Sequence, residues 1–235
     1  MTDFPPYEPP PPPPPAPPAP PEALPWEAPN AGLGSIFPTA GEFLAHPVLA
    51  YRKMSKTADL VRPIAFFVAF VLLGTILGQI WQLLLWNQVM ELIHRFNFIP
   101  EQFQSLIHRP GAIQIAVGLV VAPLIYLVVL FIWSAAIHVG LAALGGAPEG
   151  FATTLRVICY ARTADVGLAI PLLGGLVTFV WRRVLEVVGL AQAHRTDAWK
   201  ALLAVIFPMV FCCLCMVAGV FAFGAAIGQA LQQMK

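Results

Sequence analysis

The stretch Arg162-Thr-Ala-Asp165-Val-Gly-Leu-Ala-Ile-Pro171-Leu-Leu-Gly-Gly175-Leu-Val-Thr-Phe-Val-Trp-Arg182-Arg183-Val-Leu-Glu186 decides the fold. It places charges inside a run that otherwise reads as membrane-spanning. The charges lie almost symmetrically about Pro171–Gly175, a helix-breaking segment that reads as the turn of a helical hairpin. Folding the chain there sets Asp165 opposite Arg182 and Arg162 opposite Glu186, with opposite signs each time. A lone intramembrane charge marks function, whereas a matched set can be a clasp. Arg182 and Glu186 also stand at i and i+4, and Arg162 and Asp165 at i and i+3, so each has a second partner within its own helix. Arg183 is left as the surplus charge, suited to snorkelling or to a lipid phosphate.

Outward from the hairpin the chain is apolar. Of its 235 residues 58% are hydrophobic and only 11% charged, with a mean hydropathy of +0.76. Soluble domains carry about 25% charged residues, so most of this chain cannot be a water-facing surface. A net charge of +1 provides no basic footprint for nucleic acid. Three uncharged stretches, Pro63–Met90, Gly111–Pro148 and Ala201–Met234, each exceed the roughly 20 residues that a spanning helix needs. Trp81, Trp86 and Trp199 sit near the ends of such stretches, where aromatic belts form. Between the second and third stretches the broken hairpin reads as two further helices, about 151–172 and 174–193. The fold class is then all-α: a polytopic helical membrane protein with five transmembrane helices and a disordered proline-rich N-terminal tail. Four spans is the alternative count.

The domain plan follows from composition. Residues 1–30 hold fifteen of the chain's 24 prolines, including the unbroken run Pro9–Pro15, and predict a disordered tail of polyproline II character. It reads first as a stiff spacer and second as a ligand for an aromatic groove. Residues 31–60 predict an interfacial amphipathic segment, with Phe37, Leu44, Val48 and Tyr51 at helical spacing and interruptions at Pro38 and Pro47. Residues 61–235 form the transmembrane domain. The N-terminus has no basic or apolar leader pattern, so the first spanning helix is expected to serve as an uncleaved anchor. Arg52, Lys53, Lys56 and Arg62 precede that helix, which places the N-terminus in the cytoplasm and, with five spans, the C-terminus outside. A short helix is expected at Pro100–His108 in the external loop.

Chemical motifs are absent: there is no nucleotide-binding loop, zinc-protease helix or serine elbow in the chain. The expected protein is therefore not an enzyme and has no cofactor or metal. Cys159, Cys212, Cys213 and Cys215 lie in apolar segments and read as inert. His94 and His108 share one loop but lack a third ligand. His138 falls within the second apolar stretch and is a candidate polar intramembrane site, with hydrogen bonding to a neighbouring helix as the plainer reading. Gly74-xxx-Gly78 and Gly224-xxx-Gly228 have the spacing of close helix contacts, within the chain or with a partner.

From Gly145 onward the sequence resembles the Yip1 domain family. The residues that carry this are Gly145-Gly146, Gly150–Arg156 leading to Tyr160, Ile170-Pro171, Gly174-Gly175, Trp181, Gly189-Leu190, His194-Arg195-Thr196 and Lys200–Ala204 running to Pro208. Pro25-Trp26-Glu27 and the segment from His46-Pro47 to Met54 look like the N-terminal pattern of bacterial members. The resemblance implies five transmembrane helices, a cytosolic N-terminus and no established catalytic activity; eukaryotic relatives act in vesicle traffic and bind Rab-type GTPases. Arg182-Arg183 with Glu186 departs from the family, which is mostly apolar there. The leading expectation is a non-enzymatic protein, most simply of the bacterial inner membrane, that organises membrane or recruits partners through its tail or GxxxG faces. The alternative is a small transporter or channel whose path is lined by Arg162, Asp165, Arg182, Arg183, Glu186 and His138.

Overall fold

The computed structural model describes residues 23–55, 59–96 and 109–233, with side chains described as far as 224. Most of the proline-rich segment and the helix expected at Pro100–His108 lie outside the described residues. Every regular element among the described residues is helical. A short 3-10 turn at Leu33–Ser35 leads into α1 (Ile36–Ala45) and α2 (Pro47–Lys53), and the long α3 (Val61–Leu84) and α4 (Trp86–Phe96) follow. Next come α5 (Ala112–Ala143), α6 (Gly150–Ala161), a 3-10 segment (Arg162–Ala169), α7 (Gly174–His194) and α8 (Ala198–Gln233).

Three helices, α3, α5 and Ala198–Gly224 of α8, are long and apolar enough to cross a membrane. The chain is thus an integral membrane protein. The outer faces of α5 and α8 expose Val120, Leu124, Val128, Phe211, Val217 and Phe221, which suits hydrocarbon and not water.

The hairpin differs from two simple α-helices. Its first limb is α-helical only to Ala161 and then tightens into eight residues of 3-10 helix. Glycines explain how closely the limbs approach. A Cβ on Gly174 would lie 2.6 Å from the Gly167 carbonyl oxygen, and one on Gly167 would lie 2.8 Å from Thr178 Oγ1. Thr178 donates to the Ala164 carbonyl at 3.1 Å, stitching limb to limb. Gly74 of α3 allows the same segment to press against it, since a Cβ there would meet Leu168 Cδ1 at 3.1 Å and Asp165 Oδ2 at 3.4 Å. Near the far end of α3, Trp81 Nε1 donates to the Leu168 carbonyl at 2.9 Å, which sets the hairpin tip level with that end. At the tip Leu172 has φ +63 and is 80% exposed. A left-handed non-glycine residue costs about 1–2 kcal/mol. Leu172→Gly is therefore expected to raise stability by about 0.5–1 kcal/mol after glycine's own entropy cost. A higher thermal midpoint in detergent would show it.

The near end of the bundle is closed by α1 and α2. Phe43, Ala50 and Tyr51 face inward, with Phe43 stacked on Tyr160 at 4.9 Å and edge-on to Tyr51 at 4.8 Å. Gly189 of α7 receives Tyr51, where a Cβ would lie 2.6 Å from the ring. Phe37, Val48 and Leu49 remain exposed on the opposite side. The amphipathic α4 begins after a bend at Leu85 and places Trp86, Val89, Ile93 and Phe96 on one face and Asn87, Glu91, His94 and Arg95 on the other.

Candidate functional site: a charged chamber within the helix bundle

The five hairpin charges meet in one place. Arg162 Nη1 contacts Asp165 Oδ2 at 3.1 Å, Arg182 reaches the other carboxylate oxygen of Asp165, and Arg183 Nη1 contacts Glu186 Oε2 at 2.6 Å. Asp165 is 2% exposed and Glu186 1%, so both carboxylates are enclosed. The pairing of Asp165 with Arg182 across the turn is present. Arg162 does not reach for Glu186; it shares Asp165. The 3-10 geometry is the reason, because residues three apart eclipse one another in that helix and Arg162 falls over Asp165. Glu186 is held instead by Arg183, which therefore has a partner.

Aromatic rings line the cations. The Arg162 guanidinium lies 4.6 Å from the Tyr126 ring centre and 4.9 Å from that of Phe67. Arg183 lies 5.0 Å from Trp133. Such faces stabilise a desolvated cation by about 2 kcal/mol. Around the charges are two adjoining cavities of about 240 and 310 Å³ that share Tyr126, Arg162, Phe179 and Arg182 as walls. Their lining residues sit at a common depth. Phe67–Thr75 of α3, Tyr126–Trp133 of α5 and Met209 of α8 are each roughly 10–25 Å along their helices from the near end of the bundle.

His138 lies elsewhere. Its Nδ1 is 2.9 Å from Thr154 Oγ1, which is in turn 2.9 Å from His194 Nε2 at the end of α7. The imidazole thus bridges helices near the Gly145-Gly146 turn and does not join the charged chamber. Gly78 and Gly224 face open space. His94 Nδ1 is 2.6 Å from its own helix's Met90 carbonyl, and no group of three metal-ligating side chains occurs among the described residues.

A second polar centre escaped sequence reasoning. Arg156 of α6 is 2% exposed; it donates to the Ser55 carbonyl at 2.7 Å and to the Asp59 carbonyl, and stands 3.6 Å from Glu27. Glu27 also accepts from the Tyr160 hydroxyl at 2.8 Å and from the Ser55 N–H at 2.6 Å. Burial pushes its carboxyl above the ordinary range, opposed by those two hydrogen bonds and by the charges of Arg156 and Arg62. Trp26 is bolted beside it, its Nε1 donating to the Arg62 carbonyl at 2.8 Å and its N–H to Thr39 Oγ1 at 2.9 Å. Arg62 returns hydrogen bonds to the carbonyls of Trp26, Ala28 and Pro29. In the sequence Trp26, Glu27, Arg156 and Tyr160 stood out only as parts of the family resemblance. Trp26 and Glu27 fell within the segment 1–30 expected to be disordered, where these contacts fasten them instead.

The family model for the Yip1 domain matches residues 41–220. The chain belongs to the Yip1 family. The match takes in the charged chamber and Arg156 but begins after the Trp26–Glu27 plug. Yip1 proteins are membrane proteins and generally non-enzymatic. No curated protein and no solved structure matches the chain.

Proposed function

We propose that this Yip1 protein is a non-enzymatic scaffold of the bacterial inner membrane, which recruits a soluble partner to the bilayer through its proline-rich N-terminal arm. The observation that carries the reading is the anchoring of Trp26 and Glu27 to Arg62, Arg156 and Tyr160. A recruiting arm works best from a fixed root, and these contacts fasten the chain directly after the proline run. The arm's chemistry suits a domain with an aromatic polyproline groove. Basic residues Arg52, Lys53, Lys56 and Arg62 at the same end support a cytoplasmic N-terminus.

Length supports five spans. α6 and the 3-10 segment together hold 12 and 8 residues, about 34 Å of rise, and the 21 residues of α7 give about 32 Å, against a core of about 30 Å. An odd count puts the C-terminus outside. The exposed Phe37, Val48 and Leu49 on α1 and α2 then lie in the cytoplasmic interface, while the Asp165 clasp holds the hairpin together.

A photo-crosslinker at Tyr7 in the full-length protein tests the recruiting role. The expected result is one discrete adduct with a cytoplasmic protein carrying a polyproline groove, lost when Pro9–Pro15 are replaced by glycine and serine. Adducts with lipid alone, or a protein adduct indifferent to the prolines, would overturn it. Fused reporters should be active in the cytoplasm at the N-terminus and outside at the C-terminus. The charged chamber favours a second reading, a small transporter; ion or solute flux in liposomes that is lost in a folded, monodisperse Asp165→Arg, Arg182→Asp exchange variant would decide for that reading.

A further inference from the structure

The chamber at mid-depth holds more cation than its own carboxylates balance. Arg162, Arg182 and Arg183 supply three positive charges; Asp165 and Glu186 supply two negative ones. Among the described residues, no other ionisable side chain except the Tyr126 phenol lines the two cavities. The surplus is one positive charge in a setting where an unmatched ion is costly. A clasp whose only task was to join two helices would be neutral and closely packed. This one is neither, since cavities of about 240 and 310 Å³ adjoin the guanidinium groups.

Hydrogen-bonding capacity is unspent as well. The Nε atoms of Arg182 and Arg183 are buried and have no acceptor among the described residues. Glu186 Oε2 is likewise without a hydrogen bond, although it lies 2.6 Å from Arg183 Nη1, so the chamber has two unmatched donors to one acceptor on these three residues. A buried donor left unmatched costs about 1–3 kcal/mol, more when charged. The deficit has a definite chemical complement: a monoanion with several acceptor oxygens, small enough to enter beside planar guanidinium groups. A phosphate diester or dihydrogen phosphate fits on charge, on acceptor number and on the fork geometry that arginine offers. The walls add Phe67, Tyr126, Trp133 and Phe179, apolar surface against which the glycerol or acyl portion of a lipid packs.

We infer that the paired cavities between α3, α5, α7 and the 3-10 segment form a binding site for a phosphate monoanion, held by Arg162, Arg182 and Arg183. The anion comes from a lipid headgroup or from free phosphate, and the two sources give different results. This inference is independent of partner recruitment: the arm's crosslinks do not depend on the chamber, and the chamber's ligand does not depend on the arm.

The test uses the full-length protein and two substitutions of opposite sign. Arg183→Gln removes the surplus charge and one guanidinium; Glu186→Gln frees Arg183 and raises the surplus to two. Native mass spectrometry from nanodiscs of equimolar phosphatidylglycerol and phosphatidylcholine reads lipid retention, and titration of inorganic phosphate against the thermal midpoint in detergent reads the free anion. In one or both assays binding should fall by about tenfold or more in Arg183→Gln, the size of one lost charge-assisted hydrogen bond, and rise in Glu186→Gln. Selective retention of phosphatidylglycerol with no response to inorganic phosphate identifies the lipid as the source; a response to inorganic phosphate without lipid selectivity identifies the free anion. Arg183→Lys, which keeps the charge but loses the fork, should fall between wild type and Arg183→Gln, and it serves if the glutamine variant does not fold. Absence of both responses in the wild type overturns the inference, as does a loss of equal size and sign in Arg183→Gln and Glu186→Gln.

Discussion

Asp165→Asn is expected to destabilise the protein by about 3–5 kcal/mol, the range for removing one member of a buried ion pair. Asp165 is the common acceptor for Arg162 and Arg182, so its loss leaves two largely buried guanidinium groups beside each other without the carboxylate they share. The 3-10 segment depends on the same carboxylate, because Gly74 of α3 packs directly against it. The measurable outcome is a fall of the thermal midpoint in detergent and loss of monodisperse protein on gel filtration. The exchange variant Asp165→Arg with Arg182→Asp returns one carboxylate and two cations to the same location. It should recover part of the loss, whereas each single reversal should be at least as damaging as Asp165→Asn. No recovery in the double variant would mean that Asp165 matters for its shape and not for its charge.

Arg156→Leu is expected to cost a similar amount, about 3–5 kcal/mol, for a different reason. The substitution keeps much of the buried volume but leaves the Glu27 carboxylate without its nearest cation and the carbonyls of Ser55 and Asp59 without their donor. The effect also has a pH signature. Glu27 already binds its proton more tightly when folded than an ordinary glutamate does, and losing Arg156 strengthens that preference. The folded state then holds a proton that the unfolded state releases, so stability declines as pH rises from the ordinary carboxylate range through the folded value. The variant should therefore show a steeper decline with rising pH than the wild type, measured as thermal midpoint against pH. The same slope in both proteins would show that Glu27 does not depend on Arg156. Because the plug fastens residues 24–29, limited proteolysis of Arg156→Leu should release the N-terminal segment sooner.

What the sequence disclosed about this site follows from how local each relation is. Asp165 and Arg182 could be set against each other because an antiparallel hairpin needs only a turn and a count of residues, and Pro171–Gly175 provides both. The switch from α to 3-10 geometry at Arg162 leaves no compositional trace, and it decides that Arg162 takes Asp165 instead of Glu186. Arg183 looked unpartnered because Glu186 had two competing claims within its own helix, at three and at four residues. The Glu27–Arg156 pair joins positions separated by most of the chain, and no periodicity connects them. α4 was hidden for a simpler reason: the uncharged run continues through Leu85 to Met90, so nothing marked the bend that ends α3 at Leu84. Family membership and the three long apolar helices were legible because both rest on patterns spread over many residues.

The outer half of α8 carries a mechanical consequence. Near its start the helix packs on α5, where Ala201, Ala204 and Val205 are buried and a Cβ on Gly140 would be in van der Waals contact with the Ala204 backbone at 3.5 Å. From Phe211 to Phe223 its side chains are exposed. The apolar length Ala198–Gly224 is 27 residues, about 40 Å, against a hydrocarbon core of about 30 Å. A helix that long accommodates the difference by tilting, by kinking, for which Pro208 offers a point, or by thickening the bilayer around it. With its first turns packed on α5 and the side chains from Phe211 to Phe223 exposed, the outer half is the part most responsive to the thickness of the surrounding bilayer. The contact between Gly140 and Ala204 is then where a change in membrane thickness would reach the bundle.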